Sequence, residues 1–212
     1  FLSRTEKILT AIFEMGSKNI KHDYIIVGAG SAGSALANRL SENPKISVLL
    51  LEAGSTTHPY SRIPLSFGLF INKPGVNWRY FSEPEEGTAN RAIPVPRGKM
   101  LGGSSAINGM VYVRGQPLDY DTWAQLGNRG WSWESVAPLF QKMENYSGRG
   151  HETRGTEGPL GISEVAEQNA LYDALLDAAV SVGHTRNADY NGPDQEGVAR
   201  LQATIQQGRR MN

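Results

Sequence analysis

Apolar positions in this chain fall in short clusters whose character changes along its length. Tyr24 to Val27 is a β-branched run without polar alternation, the pattern of a parallel strand buried on both faces. Ala32 to Leu40 then reads as a helix, and after the turn at Asn43-Pro44 a second apolar run, Val48 to Leu51, ends in Glu52. Strand, helix and strand within about 30 residues make one βαβ unit. From Ala53 to Gly103 periodicity gives way to Pro, Gly and isolated aromatics, as in a covering segment or a disordered one. Helical spacing then returns. Asp119 to Leu126 has an aspartate cap and Gly127 as its stop, and Ser132 caps a second helix running to about Asn145. Asn169 to Val182 forms a third, with Leu171, Leu175, Ala178 and Val182 on one face and Gly183 as terminator. The stretch SGRGHETRGTEGP reads as a solvated connector.

Composition narrows the function classes. A chain of 212 residues holds one large domain or two small ones. Lysine plus arginine and aspartate plus glutamate each number 21, so no global field draws nucleic acid or an anionic membrane. Cysteine is absent, which excludes disulfides, thiolate nucleophiles and thiolate metal sites and fits a reducing compartment. No apolar run approaches the roughly 18 residues that cross a bilayer, so no transmembrane segment is expected. FLSRTEKILTAIFE is amphipathic but too short in its apolar core for a secretory signal. A cytoplasmic location, or one peripheral to a membrane, is expected. Met15 lies just ahead of the first strand and is the expected natural start, with residues 1–14 upstream of it.

The first chemical motif is IIVGAGSAGSALANRL. Gly28, Gly30 and Gly33 match the offsets at which a dinucleotide fold needs a tight turn, close backbone approach to a pyrophosphate, and close helix-to-strand packing. The helix N-terminus then offers free N–H groups and partial positive charge to the phosphates. Glu52 lies about 20 residues farther on, where a carboxylate accepts from both ribose hydroxyls and disfavours a 2′-phosphate. NADP is thereby disfavoured; NAD and FAD remain, beside the plainer reading of a glycine-rich turn in another fold.

A second motif, RGKMLGGSSAINGMVYVRG, pairs glycines with serines whose N–H and hydroxyl groups suit another phosphate or a ring. A linker would also look like this, but the motif continues into the apolar run Ile107 to Val113, the sign of a loop beside a buried element.

Together, YIIVGAGSAGSALANRL, LLLEAG and PRGKMLGGSSAINGMVYVRG closely resemble the glucose-methanol-choline (GMC) oxidoreductase family of FAD enzymes. The resemblance runs from about Asp23 to Asn212 and leans toward the choline dehydrogenase and primary-alcohol dehydrogenase branch through NWRYFSEPE, YDTWAQLG and QQGRR. It implies an α/β fold, a Rossmann-like FAD-binding βαβ domain with the start of a second α+β substrate domain. The expected divisions are a tail at 1–22, the FAD-binding part at 23–115 with its covering loop 53–103, and an incomplete substrate domain at 116–212.

By the same resemblance Gly28, Gly30, Ser31, Ala32 and Gly33 would hold the FAD pyrophosphate, and Glu52 with the adjoining Ala53 the adenosine ribose. Arg97, Leu101, Gly103, Ser104 and the segment Asn108, Gly109, Met110 and Val111 would face the flavin, with Asn108 near the reactive edge. Trp78 would belong to the covering loop or simply be a core indole. Some relatives attach FAD through a histidine in this motif, but Ile107 stands at that position here, which implies a non-covalent flavin.

Oxidising an alcohol at a flavin requires a hydride acceptor and a base for the hydroxyl proton, and a histidine of near-neutral pKa is the natural base. None of His22, His58, His151 and His184 lies in a motif that the family uses for proton transfer. In the family the catalytic histidine and its partner lie near the C-terminus of a much longer chain. No catalytic residue or metal ligand is therefore assigned. The expectation is an N-terminal fragment of an FAD enzyme whose parent oxidises an alcohol and passes electrons to a quinone, another carrier or oxygen. Competing expectations are an NAD-dependent dehydrogenase, a non-redox hydroxynitrile lyase of the same family, and a non-catalytic nucleotide-binding module. Expressed alone, the chain is expected to expose apolar surface and aggregate.

Overall fold

The computed structural model describes residues 21–56, 58–148, 152–165 and 169–211. The amphipathic stretch 1–14, the start at Met15 and His151 lie outside the described residues.

Strands β1 (Tyr24–Val27) and β2 (Val48–Leu51) pair in parallel, from Tyr24 against Val48 to Val27 against Leu51. Helix α1 (Ser31–Leu40) makes the crossover that parallel pairing demands. The strand entry is clipped by Asp23, whose Oδ2 accepts from the Ser47 N–H and hydroxyl, each at 2.8 Å. Those bonds from Ser47 hold the Asp23 carboxyl below its ordinary value. Burial departs from expectation: Ile26 is buried, but Ile25 and Val27 are 61% and 83% exposed. The sheet has only these two strands among the described residues, and the face of β1 that carries Ile25 and Val27 is open.

The covering segment is more ordered than its sequence suggests. A 3-10 turn (Pro64–Ser66) runs into α2 (Phe67–Phe70), and β3 (Tyr80–Phe81) pairs antiparallel with β4 (Pro94–Val95). These elements are too short to print a period in the sequence. What holds them is a core of Phe70, Val76, Met100, Ala106 and Ile107 shared with the second motif.

In the second half, α3 (Pro117–Gln125) and α4 (Trp133–Met143) match the first two expected helices. Asp119 sits inside α3 rather than capping it, and its Oδ2 accepts from the Gln116 N–H at 2.8 Å. The chain then straightens at Glu144, ahead of Asn145, into β5 (Glu144–Tyr146). β6 (Leu160–Glu164) pairs parallel with β5 and antiparallel with β7 (Gln202–Ala203). β8 (Ile205–Gln206) and β9 (Arg209–Arg210) close a hairpin. A mixed α+β layer thus follows the βαβ unit.

Helix α5 (Ala170–Ser181) is capped by Asn169, whose Oδ1 accepts from the Leu171 and Tyr172 N–H groups at 3.0 and 3.3 Å. Its expected apolar face is open: Leu171, Leu175 and Val182 are exposed, and the side chain buried in this helix is Leu176. Among the described residues no helix is long and apolar enough to cross a membrane.

Candidate functional site

Three segments distant in the chain converge at the N-terminus of α1. The turn after β1 is made by Gly28 at φ +98°, a conformation that side chains resist. Gly33 is pressed against this turn, since a Cβ there would lie 1.9 Å from the Gly28 carbonyl oxygen. A Cβ on Gly30 would meet the Gly103 Cα at 3.9 Å, an ordinary contact distance. α1 starts at Ser31 with no side-chain cap and no acidic residue in its first turn, leaving its leading N–H groups for a ligand. Ser31 and Ala32 are exposed beside them.

Glu52 sits at the end of β2 and knots this turn to the next loop. Its Oε2 accepts from the Ala29 N–H and its Oε1 from the Gly54 N–H, both at 2.9 Å. Each oxygen retains a lone pair, so a bound ribose still finds an acceptor. Ala53, between these amides, is exposed.

The second motif runs directly beside these loops. The Gly102 N–H donates to the Ala29 carbonyl at 2.8 Å and the Leu101 N–H to Ser55 at 2.9 Å. A Cβ on Gly54 would lie 1.8 Å from the Lys99 carbonyl oxygen, and one on Gly103 would lie 2.7 Å from the Gly30 Cα. Ser104 Oγ accepts from the Gly98 N–H at 3.1 Å. The two glycine motifs form one backbone-lined surface.

The chain next turns sharply at Met110, buried at φ +64°. Asn108 and Gly109 lie exposed at the tip, and Val111 is bridged to Ala203. The Asn108 Oδ1 accepts from the Met110 N–H at 3.0 Å. Ile107 is buried in the core with Phe70 and Val76.

Trp78 is partly exposed and stacks on Tyr80 at 5.9 Å with the rings 7° apart, while the Lys99 ammonium lies 4.2 Å over its ring. It therefore belongs to the covering surface and not to the core. Among the described residues the Arg97 side chain donates to the Pro96 carbonyl, and its backbone carbonyl accepts from Trp78. Sequence reasoning missed Asn77, which is buried and holds this surface together. Its Oδ1 accepts from the Arg79 and Arg97 N–H groups at 2.9 and 3.0 Å, and its Nδ2 donates to Ile71.

It also missed the support beneath the Asn108 to Val111 loop. Glu144 is fully buried and accepts from Tyr112 at 2.5 Å, from Arg114 through both oxygens, and from Arg154 at 2.9 Å. Arg154 also bridges to Asp189 at 2.7 Å, so two cations balance two carboxylates. Burial pushes the Glu144 carboxyl up, but the bonds from Arg114, Tyr112 and Arg154 outweigh it and hold it below its ordinary value. Burial and the bond to Glu144 push the Tyr112 phenol well up, so it remains a donor. Polar residues far apart in sequence give no local pattern by which such a network is found.

His58 packs edge-on against Phe70 at 4.8 Å and lies 2.7 Å from the Lys73 ammonium, with burial and then Lys73 lowering its pKa. His184 is exposed after α5.

A family model described as GMC oxidoreductase matches residues 22–212. The chain is 47% identical over 189 residues to an oxygen-dependent choline dehydrogenase of Sinorhizobium fredii, covering 89% of this chain and 34% of that protein. An oxygen-dependent choline dehydrogenase of Brucella suis matches the same shares at 44% identity. Among solved structures, pyridoxine 4-oxidase from Mesorbium loti superimposes with a TM-score of 0.83 at 39% identity, covering 90% of this chain and 38% of that one. An FAD-dependent oxidoreductase from Chaetomium thermophilum gives 0.81 at 32% identity, covering 90% and 35%. The chain thus spans about a third of the length of the relatives it matches.

Proposed function

Because the chain belongs to the GMC oxidoreductase family, we propose that it forms the FAD-holding part of an alcohol-oxidising flavoenzyme. The observation that carries this reading is the meeting of Gly30 with Gly103 at the uncapped N-terminus of α1. Such a surface offers the leading backbone N–H groups of α1 with no side chain on either glycine to block approach, which is what a pyrophosphate needs. The residues present fit the cofactor: the open backbone around Gly30, the unpaired N–H groups of α1 and the spare lone pairs of Glu52 form a dinucleotide cradle.

In this reading Ser31, Ala32 and the α1 N-terminus bind the pyrophosphate, and Glu52 orients the ribose while keeping the turn closed. Leu101, Gly103, Ser104 and the Asn108 to Val111 loop would face the ring, and Trp78 and Arg97 belong to the cover that excludes water. FAD, when bound, supplies the two-electron acceptor for a hydride leaving an alcohol carbon. The buried aliphatic side chain at Ile107 offers no nucleophile, so attachment would be non-covalent. The proposed substrate class is a small alcohol, choline-like or primary, with a quinone, another carrier or oxygen as final acceptor. The division at about residue 115 into cofactor and substrate parts, and a cytoplasmic or membrane-peripheral location, belong to the same proposal.

The test is an absorbance spectrum after incubation with FAD and gel filtration. Retained flavin bands, released on denaturation, are expected. A colourless protein in both this chain and one extended to the length of its relatives would overturn the reading.

A further inference from the structure

We propose that Arg210 is a positioning residue that fixes the side-chain amide of Asn108 with its NH2 group presented as a donor to the bound cofactor. This rests on the FAD reading above. Arg210 lies on β9 and is fully buried, whereas its neighbour Arg209 is exposed. Its backbone N–H donates to the Arg62 carbonyl of the covering segment at 2.9 Å. Its Nη1 donates to the Asn108 carbonyl and to the Asn108 Oδ1, both at 2.8 Å, and to the Ser105 carbonyl at 3.1 Å. One residue therefore holds the exposed tip of the second motif through its side chain and the cover through its backbone.

A buried cation needs compensation, and among the described residues no carboxylate pairs with Arg210. Its Nε and Nη2 are likewise buried without a hydrogen-bond partner there. A neutral apolar side chain would fill this position at lower cost if packing were the sole requirement. What the guanidinium adds is direction. Arg210 and the Met110 N–H both donate to the Asn108 Oδ1, which settles which end of the amide is oxygen. The NH2 end has no hydrogen bond among the described residues, and Asn108 is exposed. Without Arg210, one backbone donor alone would hold the amide, and the side chain could turn its acceptor outward.

The test uses the protein at the full length of its relatives, loaded with FAD, and compares Arg210→Met, Asn108→Ala, their double variant and Asn108→Asp. Asn108→Asp keeps an acceptor for Arg210 and Met110 but has no NH2 to donate. Each single variant is expected to raise the FAD dissociation constant about tenfold and to shift the flavin absorbance bands. Because both residues act through one amide, the double variant should stay at about tenfold rather than multiply to about a hundredfold. Asn108→Asp, which sets a carboxylate beside the Arg210 guanidinium, should melt no lower than the parent protein while still weakening FAD. A multiplicative double variant, or Arg210→Met that lowers the melting temperature with FAD affinity and spectrum unchanged, would overturn the proposal. Should Arg210→Met not fold, Arg210→Lys, which keeps a donor for the Asn108 oxygen, is expected to hold FAD more tightly than Asn108→Ala does, and an equal loss in the two would overturn the proposal. Failure of the parent protein to bind FAD would instead remove the reading on which this proposal stands.

Discussion

Gly30 and Gly103 face each other so closely that a methyl group on Gly103 would lie 2.7 Å from the Gly30 Cα. Gly30 lies in the turn after β1 and Gly103 in the second motif, and their contact joins the two motifs into one backbone-lined surface. Gly103 also holds φ +57°. Gly103→Ala is expected to force the loops apart, cost more than about 1 kcal/mol, and abolish flavin retention. Gly109→Ala is the control for stability: among the described residues nothing lies within 4 Å of where a Cβ would stand, so stability should change by less than about 0.5 kcal/mol. Gel filtration with FAD and a thermal melt read both effects.

Glu52 is tied to the Ala29 and Gly54 N–H groups, and Glu52→Ala leaves both without an acceptor. The turn that carries Gly28 and Gly30 then loses its clamp along with the expected ribose contact. FAD affinity should fall at least about tenfold, because each charge-assisted bond is worth about 1.5 to 3 kcal/mol. Titration by flavin fluorescence measures this, and an unchanged dissociation constant would contradict the assignment.

Glu144 gives a pH signature. Its carboxyl is held below the ordinary value of 4.5, so its contribution to stability is fully present above that value. The contribution is lost as pH falls through the lower, folded-state pKa. Glu144→Gln deprives Arg114 of its carboxylate partner, leaves Arg154 with Asp189 alone, and should cost about 3 to 5 kcal/mol at neutral pH. It should also flatten the part of the acid-unfolding profile that lies below pH 4.5 in the parent protein. Denaturant midpoints measured between neutral and acidic pH check both the loss and its direction.

The open face of α5 predicts behaviour in solution. Leu171 and Leu175 are 81% and 63% exposed and Val182 is 76% exposed. In this chain Leu175→Glu should change stability by less than about 0.5 kcal/mol and reduce self-association seen by light scattering. In the protein extended to the length of its relatives, a loss of several kcal/mol would show that the same face is covered there.

Local order was legible in the chain itself. The β1–α1–β2 unit, the glycines of its turn, α3, α4 and the helix starting near Asn169 follow from backbone geometry, helical spacing and short-range hydrogen bonds, each confined to neighbours in sequence. The covering segment was not legible, because elements of two to four residues carry no period, and Asn77 and the core around Phe70 shape it through contacts with distant segments. The same division holds within the candidate site. Spacing identified Gly28, Gly30, Gly33 and Glu52, and the resemblance identified the GGSSAIN loop, yet only the tertiary structure set Gly103 against Gly30. Only the fold, likewise, buried Arg210 against Asn108 while leaving Arg209 in solvent. Two adjacent arginines are chemically alike in a sequence; strand alternation and the arrival of a loop from far along the chain make one a clamp and the other a surface charge. Periodicity drew the stripe from Leu171 to Val182, but what packs on a stripe is a property of the partner surface, which local spacing does not encode.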